Sequence, residues 1–375
     1  MTEPIKILHC LGALDPGGVE TWLMHLLKPL DTKRFQFDFC TFGSHAGLYA
    51  VEAEKLGAKV LRCPRSQTFL NMGRRFRQIL REGQYDVIHS HVHLFSGIVL
   101  RWGRREGVQI RVAHSHGSND GKSKTVVRRV YRSMMKRLIN RHATHGLAAS
   151  RLAADEVFLN WKNDPRVTIL HYGIELQPFL DVANCDLWRT KIGLPTRVPV
   201  IGHVGNFTAA KNHGFFLKLA AQIHNQRPDI HFLLIGDGPL RAEIETRART
   251  MGFNGNIHFL GTRTDVPTLL RTCIDAFVFP SLWEGLPMAL VEAQAAGLPC
   301  VISSEITNEV VIFPDQVVQL PLAFGPKQWA TATVEALDRG KLETQSSTAT
   351  LEQTGFSIEQ GLSTLLDFYS TAKRG

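Results

Sequence analysis

The sequence of 375 residues contains no apolar run approaching the roughly 18 to 20 residues of a helical membrane span. Its opening, "MTEPIKILHC", enters an apolar strand-like run without the basic, apolar and small-residue succession of a secretory signal, so the chain is expected in the cytosol. Cysteine is scarce and scattered: Cys10, Cys40, Cys63, Cys185, Cys273 and Cys300 show no Cys-x-x-Cys spacing, and several lie in strand-like runs such as "LPCVIS". Reduced core thiols fit that distribution; a disulfide framework or a cysteine metal site does not. No G-x-G-x-x-G follows a strand-like run, which removes the dinucleotide fingerprint. No basic segment carries the interleaved aromatics of a nucleic-acid-binding motif, and no nucleic-acid partner is expected. Internal repeats are absent, and low complexity is confined to "ETQSSTATLEQTG", read as a surface turn before a final helix.

What is present is a hydrophobic content of 44% in a chain longer than one core usually organises, which predicts a soluble protein of two domains. Charge is divided unevenly between them. Residues 1–172 hold 27 Lys and Arg against 14 Asp and Glu, whereas residues 173–375 hold 16 against 20. The basic excess gathers in "GRRFRQILREG", "RWGRREG" and "KSKTVVRRVYRSMMKRLINRH". In the last, Val127, Val130, Tyr131, Met134, Met135 and Leu138 recur at helical spacing beside Arg128, Arg129, Arg132, Lys136 and Arg137, the pattern of a basic amphipathic helix. Such a helix either packs on a core with its charges solvated or lies on an anionic membrane surface.

Along the chain, strand-like runs alternate with helical patterns. "IKILHCLG", "FQFDFCTF", "AKVLRC" and "DVIHSH" are separated by helices at Val19–Leu30, near Leu48–Leu56 and near Asn71–Glu82. "VPVIGHVG", "IHFLLIGDG", "IHFLG", "AFVFPS" and "PCVISS" repeat the plan, with helices at Asn212–Gln226 and Leu240–Met251 and one carrying Glu292. Alternation of this kind predicts parallel sheets covered by helices on both faces. The Gly- and Pro-punctuated segment from Leu170 to Arg197 reads as the connector, so the domains are placed at 1–172 and 173–356, with a final helix over 357–375 packing back on the first.

Open α/β sheets bind ligands outside the carboxyl ends of their strands, so candidate chemistry is sought there. Gly17 and Gly18 follow the first strand and precede a helix, where bare backbone can approach an anion or simply make a turn. Gly236-Asp237-Gly238 makes another tight turn at a helix start. In "WEGLPMALVEAQAAG", Gly285 lets the chain turn, and Leu286, Met288 and Ala289 offer unused N–H groups to a phosphate. That helix also carries Glu292 among apolar neighbours, and an unpaired carboxylate in such company costs several kcal/mol, roughly. A ribose attached to the bound phosphate supplies two hydroxyls for it; a buried basic partner is the alternative. Glu284, in the preceding loop, is placed to contact a sugar, and Lys211 in "GNFTAAKNH" to neutralise a diphosphate.

Taken together, Glu284 to Glu292 with seven residues between the acids, "HVGNFTAAKNH", "LIGDGPLR", "HYGIELQPF" and "GGVE" resemble the retaining glycosyltransferases of family 4, and within it the EpsF type of exopolysaccharide enzyme, through "DVIHSH" and "RVAHSHG". The resemblance runs from about residue 5 to residue 305. It implies a GT-B architecture of two doubly wound Rossmann-like domains facing across a cleft. It also implies transfer of a hexosyl group, with retained anomeric configuration, from a nucleotide-diphosphate sugar to a saccharide or lipid-linked saccharide, with no metal or further cofactor. On this likeness Gly17 and Gly18 lie near the donor phosphates, Lys211 is the basic diphosphate ligand and Glu284 stands near the donor sugar. Glu292 is then the ribose ligand, and His116 lies beside donor sugar and acceptor. Asn206 stands where the family usually has Arg, which removes a guanidinium from the diphosphate site, and "YGIE" replaces Asn-Gly-Ile-Asp while keeping a charge at Glu175. An acceptor on a lipid at the inner face of the plasma membrane would suit the basic first domain.

Two other readings compete. His89, His91, His93, His114 and His116 sit near two strand ends with spacings that zinc ligands can have, as a hydrolase would need. The missing Arg at Asn206 also fits a binding subunit that has lost catalysis.

Overall fold

The structure is a computed structural model and describes residues 3–64, 68–117, 125–181, 183–253 and 255–374. Its contacts divide the chain into two compact units, Met1–Gly173 with Ile358–Gly375, and Ile174–Ser357. The first is built on strands β1 (Ile5–Leu11), β2 (Phe35–Thr41), β3 (Val60–Arg62), β4 (Val87–Ser90), β5 (Ile110–Ser115), β6 (His145–Ala148) and β7 (Val167–Ile169), in the spatial order β3-β2-β1-β4-β5-β6-β7. The second is built on β8 (Val200–Val204), β9 (His231–Ile235), β10 (Ile257–Phe259), β11 (Ala276–Phe279), β12 (Cys300–Ser303) and β13 (Val317–Leu320), in the order β10-β9-β8-β11-β12-β13. All pairings are parallel.

Parallel strands joined by helical crossovers are covered on both faces, which is why runs such as Phe277, Val278 and Phe279 are apolar throughout. In the first unit the period of two nevertheless separates two kinds of face. Leu8, Cys10, Cys40 and Ile88 join an aliphatic and aromatic cluster with Phe76, Leu100 and Trp102. Residues of the opposite parity, His9, Phe37 and His89, face the helix Ile358–Arg374, whose Tyr369 ring lies 6.2 Å from Phe37 and 5.9 Å from His89. The second core gathers Phe216, Phe232, Ile201, Val278 and Trp329 around its sheet.

Each sheet reverses its direction of winding once. β2 and β3 are added on one side of β1 and β4 to β7 on the other; β9 and β10 lie on one side of β8 and β11 to β13 on the other. Loops leaving neighbouring strands on either side of a reversal part in opposite directions and open a crevice at the strand ends.

Some segments depart from the sequence expectation. "ETQSSTATLEQTG" is not a surface turn: Thr344–Gln353 is helical and buries Ser347, Thr348 and Leu351. Its hydroxyls are satisfied locally, Thr348 donating to the Thr344 carbonyl at 2.9 Å and Ser347 to Ala295 at 2.8 Å, so a polar composition costs little there. The connector holds two short helices, Gln177–Leu180 and Cys185–Lys191. β6, β7 and β13 are strands that the sequence pattern did not mark; β7 and β13 are only partly buried and so lack a fully apolar run. Cys185 is exposed and the other five cysteines are buried free thiols. No helix among the described residues is long and apolar enough to cross a membrane.

The helix Cys185–Lys191 is anchored by Arg189, which is 7% exposed. Its guanidinium donates to the carbonyls of Thr196, Val198 and Thr272 and to Asp275 Oδ2 at 2.8 Å. Arg189→Met is expected to lower the free energy of unfolding by about 3 kcal/mol, because it leaves three carbonyls without this donor and Asp275, among the described residues, with only Val200 N–H and Lys341. Urea unfolding measures the loss, and Arg189→Lys should recover only part of it.

Candidate functional site

In the second unit, the loops following β8 and β11 carry most of the residues singled out in the sequence. Leu282 N–H donates to the Ala210 carbonyl at 2.8 Å and the Asn212 amide to Pro280 at 3.1 Å, binding one loop to the other across the reversal of the sheet. This brings Lys211 Nζ to 2.6 Å from Glu284 Oε1 and 4.5 Å from the centre of the Phe279 ring, both charged side chains being largely buried. The Lys211 stem runs over Gly205, where a Cβ would stand 3.1 Å from it. Asn206 is exposed beside it, its carbonyl accepting from Thr208 N–H at 2.7 Å. Gly236, with φ at 137°, brings the next loop so close that a Cβ would lie 2.2 Å from the Gly205 carbonyl oxygen; only glycine fits.

Beyond Glu284 and Gly285 the helix Met288–Ala295 begins after Pro287. Leu290 and Val291 N–H turn back to the Pro287 carbonyl, and the N–H groups of Leu286, Met288 and Ala289 donate no hydrogen bond among the described residues. Glu292 lies on this helix, half-buried, and no hydrogen bond or ion pair reaches its carboxylate among the described residues. Burial pushes its pKa up to about 7. A basic partner, one of the two readings of this acid, is thus absent from the described residues, whereas Glu284 has one in Lys211.

Sequence reasoning overlooked three polar groups of this unit. His203 donates from Nδ1 to the Val278 carbonyl at 2.9 Å, which leaves Nε2 bare and without a partner among the described residues. His213 stacks on Phe207 with centroids 3.9 Å apart, and among the described residues neither of its nitrogens nor Ser281 Oγ has a hydrogen-bond partner. Burial lowers the two histidines to about 4 and about 2, so both are neutral. Their only signal in the sequence is position, at or just beyond the ends of β8 and β11.

The first unit holds Gly17, Gly18 and His116. Gly17 caps the helix Gly18–Leu27 and lies under the Glu20 carboxylate, 2.6 Å from where a Cβ would stand, so an acid of the chain itself overhangs this helix start. Burial raises Glu20 to about 6. His116, just past β5, belongs to an array of rings: its Nε2 lies 2.7 Å from His91 Nδ1, and His91 Nε2 lies 3.0 Å from His9 Nδ1. His89 Nε2 lies 3.0 Å from His114 Nδ1. Ring nitrogens of His9, His89 and His91, and of His91, His114 and His116, come within 4.8 Å of one another. His93 belongs to neither group, since the chain has already turned away at its φ of 50°. His9 takes the place that spacing gave to His93, because β1 and β4 are paired in register at His9 and His89. Desolvation lowers all five rings, His9 and His116 to about 3, so all are neutral near pH 7.

Two doubly wound parallel-sheet units are the fold of the GT-B glycosyltransferases. HepE of Anabaena, crystallised with UDP and glucose, superposes with a TM-score of 0.78 at 17% identity, covering 98% of this chain and 99% of that one. WaaG, a glycosyltransferase involved in lipopolysaccharide biosynthesis, gives 0.73 at 17% over 97% and 99%. At such identity the likeness is one of fold. Sequence relationship goes further. Residues 185–349 match the family described as glycosyl transferases group 1, and residues 17–173 a glycosyl transferase 4-like domain. The glycosyltransferase EpsF of Bacillus subtilis is 34% identical over 97% of this chain and 96% of its own. CapH of Staphylococcus aureus, a capsular polysaccharide biosynthesis glycosyltransferase, is 25% identical over 90% and 92%. The chain belongs to the group 1 glycosyltransferases and is an enzyme of that class.

The state of Glu292 is measurable without any substrate. Its carboxyl ordinarily titrates at 4.5 and in the folded chain at about 7, so the folded state carries no penalty at low pH and loses stability as pH rises through that window. Glu292→Gln, which removes the charge, is expected to make the ligand-free protein more stable at about pH 8, by about 3 kcal/mol at most, and to flatten its stability between about pH 5 and pH 7. Urea unfolding at both ends of that range checks it; a large loss of stability instead would mean that a cation holds Glu292.

Proposed function

We propose that the enzyme is a retaining glycosyltransferase that moves a sugar from a nucleotide-diphosphate donor to a saccharide or lipid-linked saccharide in exopolysaccharide or cell-surface polysaccharide synthesis. The observation that carries this reading is Glu292: an acid kept without a partner, on a helix whose first N–H groups are unused, in the unit that also holds Lys211 and Glu284 at its winding reversal. A nucleotide diphosphate supplies what each lacks. Ribose hydroxyls donate to the Glu292 carboxylate, and phosphate oxygens accept from the helix N-terminus and from Lys211. Glu284, relieved of part of its pairing with Lys211, can then accept from a hydroxyl of the donor sugar. Relatives support the choice of substrates. An Escherichia coli enzyme 30% identical over 63% of this chain is named for UDP-Gal and a diphosphoundecaprenol-linked acceptor, and HepE was crystallised with UDP-glucose.

In this reading the leaving diphosphate takes the acceptor hydroxyl's proton while the N-terminus of Met288–Ala295 and Lys211 stabilise its charge. His116 is too weakly basic to serve as the base near pH 7, and orients sugar and acceptor through a neutral ring. No metal takes part. Thermal melting against UDP, GDP and ADP sugars tests the proposal: one nucleotide series should raise the melting temperature, and Glu292→Ala should abolish that shift while leaving the ligand-free protein folded. His116→Ala should keep the shift and lose most of the transfer. A protein that binds a nucleotide sugar but neither transfers nor hydrolyses it would be a binding subunit, the reading that Asn206 favours.

The acceptor argument extends to a membrane surface. On the helix Val126–His142, Met135 and Ile139 are buried, whereas Val126, Val127, Val130, Tyr131 and Met134 are exposed, Val127 to 80%. The helix therefore has a core-facing stripe and a second apolar stripe left outside. Of its basic residues, Arg132 pairs with Glu156 and Lys136 donates to the Asp155 carbonyl, while Arg129 and Arg137 are exposed. Apolar side chains beside exposed cations on a domain rich in Lys and Arg suit reversible docking on the anionic inner face of the cytoplasmic membrane, each cation near such a surface contributing about 1 kcal/mol. Sedimentation with vesicles is expected to carry the protein down with anionic lipid and not with neutral lipid. Replacing Val127, Val130 and Met134 by Ser together with Arg129 and Arg137 by Gln should abolish it, and unchanged binding by that variant would favour a soluble acceptor.

A further inference from the structure

The histidine array of the first unit consists of two hydrogen-bonded chains that differ in how they end. One runs from Tyr369 O–H to His89 Nδ1, and from His89 Nε2 to His114 Nδ1. The other runs His9, His91, His116, and among the described residues neither His9 Nε2 nor His116 Nδ1 has a further partner. The difference decides where protons sit. Tyr369 is fully buried, and neither its hydroxyl nor His114 Nε2 at the other end has a further partner among the described residues, so either direction of the chain leaves one hydrogen unmet. What decides is that a phenol is the better donor, and a neutral imidazole the better acceptor. Burial also holds the phenol well above its usual range, so the proton stays on. His89 Nδ1 must therefore accept. Being neutral, His89 then carries its hydrogen on Nε2 and donates it to His114 Nδ1, and His114, also neutral, is left with its hydrogen on Nε2.

The second chain has no such end group. With one hydrogen per ring, all three can lie on Nδ1, making His116 an outward donor, or all three on Nε2, making His116 Nδ1 a bare acceptor. Both arrangements satisfy the two internal bonds equally. What breaks the tie inside the protein is the neighbouring ring: His114 packs against His116 with centroids 4.1 Å apart, and reversing its tautomer reverses a ring dipole at that distance.

We propose that Tyr369, acting through His89, is a positioning residue that fixes the tautomer of His114 and thereby biases the proton state His116 offers at the strand end. The part concerning catalysis rests on the reading of His116 as a group beside sugar and acceptor; the part concerning tautomers does not. A residue close to the end of the chain is thus tied to the end of β5 by bonds through one ring.

The test is long-range proton–nitrogen correlation NMR on the full chain labelled at histidine, which distinguishes a bare from a protonated ring nitrogen. In the unaltered protein His89 and His114 should each be bare at Nδ1 and protonated at Nε2. In Tyr369→Phe, which keeps the ring and removes the hydroxyl, His114 should become a mixture of tautomers. Transfer should then fall in kcat by roughly five- to tenfold, the scale of one neutral hydrogen bond, with KM for the nucleotide sugar changing less than about twofold. A His114 protonated at Nδ1 in the unaltered protein overturns the proposal, and that spectrum decides even if Tyr369→Phe fails to fold. So does a folded Tyr369→Phe with an unchanged His114, or a stoichiometric transition-metal ion on these rings, since it would occupy the bare nitrogens. An altered tautomer with unchanged kcat overturns the link to His116. If the spectra come out as expected but no nucleotide sugar is turned over by the unaltered protein, the functional reading fails and the tautomer relay stands.

Discussion

Parallel strands deliver all their carboxyl ends to one edge of a sheet, and a single reversal of winding leaves two neighbouring loops there with nothing between them. Everything chemical in this protein hangs on that constraint. In the second unit the reversal lies between β8 and β11, and it is the loops after these strands that set Lys211 against Glu284. In the first it lies between β1 and β4, and His9 and His89 face each other across it in register. Hydrogen bonding within a sheet stops at the strand ends, so polar side chains just inside or beyond them must find partners among themselves, or in a ligand.

The two units answer that requirement differently. Around Lys211 the groups are charged, and Glu292, on the helix that follows the loop of Glu284, has no partner among the described residues and carries a raised pKa. A carboxylate kept so is poised for a partner that donates without carrying positive charge, as hydroxyls do. In the first unit the groups are neutral imidazoles that bond to one another, because burial strips each of its charge and a neutral ring offers one donor and one acceptor, and only the end nitrogens of His9, His114 and His116 stay without partners among the described residues. One region is built to take up charge, the other to direct hydrogen bonds without it.

Glycine and hydroxyl residues keep these arrangements from costing more. Gly205 lets the Lys211 stem lie flat, and Gly236 lets two backbone loops touch where a methyl group would collide with a carbonyl. The hydroxyls of Thr344–Gln353 bond within their own helix or to the adjacent Ala295 carbonyl, which is how a segment that reads as a polar turn can pack.

The alternation of short apolar runs with helical patterns was enough to determine two parallel-sheet units, and a carboxylate among Leu, Val and Ala was enough to single out Glu292, because both signals are local in sequence. The family likeness of "WEGLPMALVEAQAAG" and "HVGNFTAAKNH" added the class of enzyme, which relatives over nearly the whole chain establish. Three strands at or towards the sheet edges, β6, β7 and β13, were not marked although strands as short as β3 and β10 were, and the helix Thr344–Gln353 was hidden by its composition. The pairing of Lys211 with Glu284 spans 73 positions, and the contact of His89 with Tyr369 spans 280. Neither separation has any expression in spacing, since only strand order decides which loops meet and only the packing of the last helix decides which ring receives a phenol. For the same reason His9 replaced His93 in the histidine array: residue spacing ranks neighbours along one strand, whereas a sheet makes neighbours of residues on different strands.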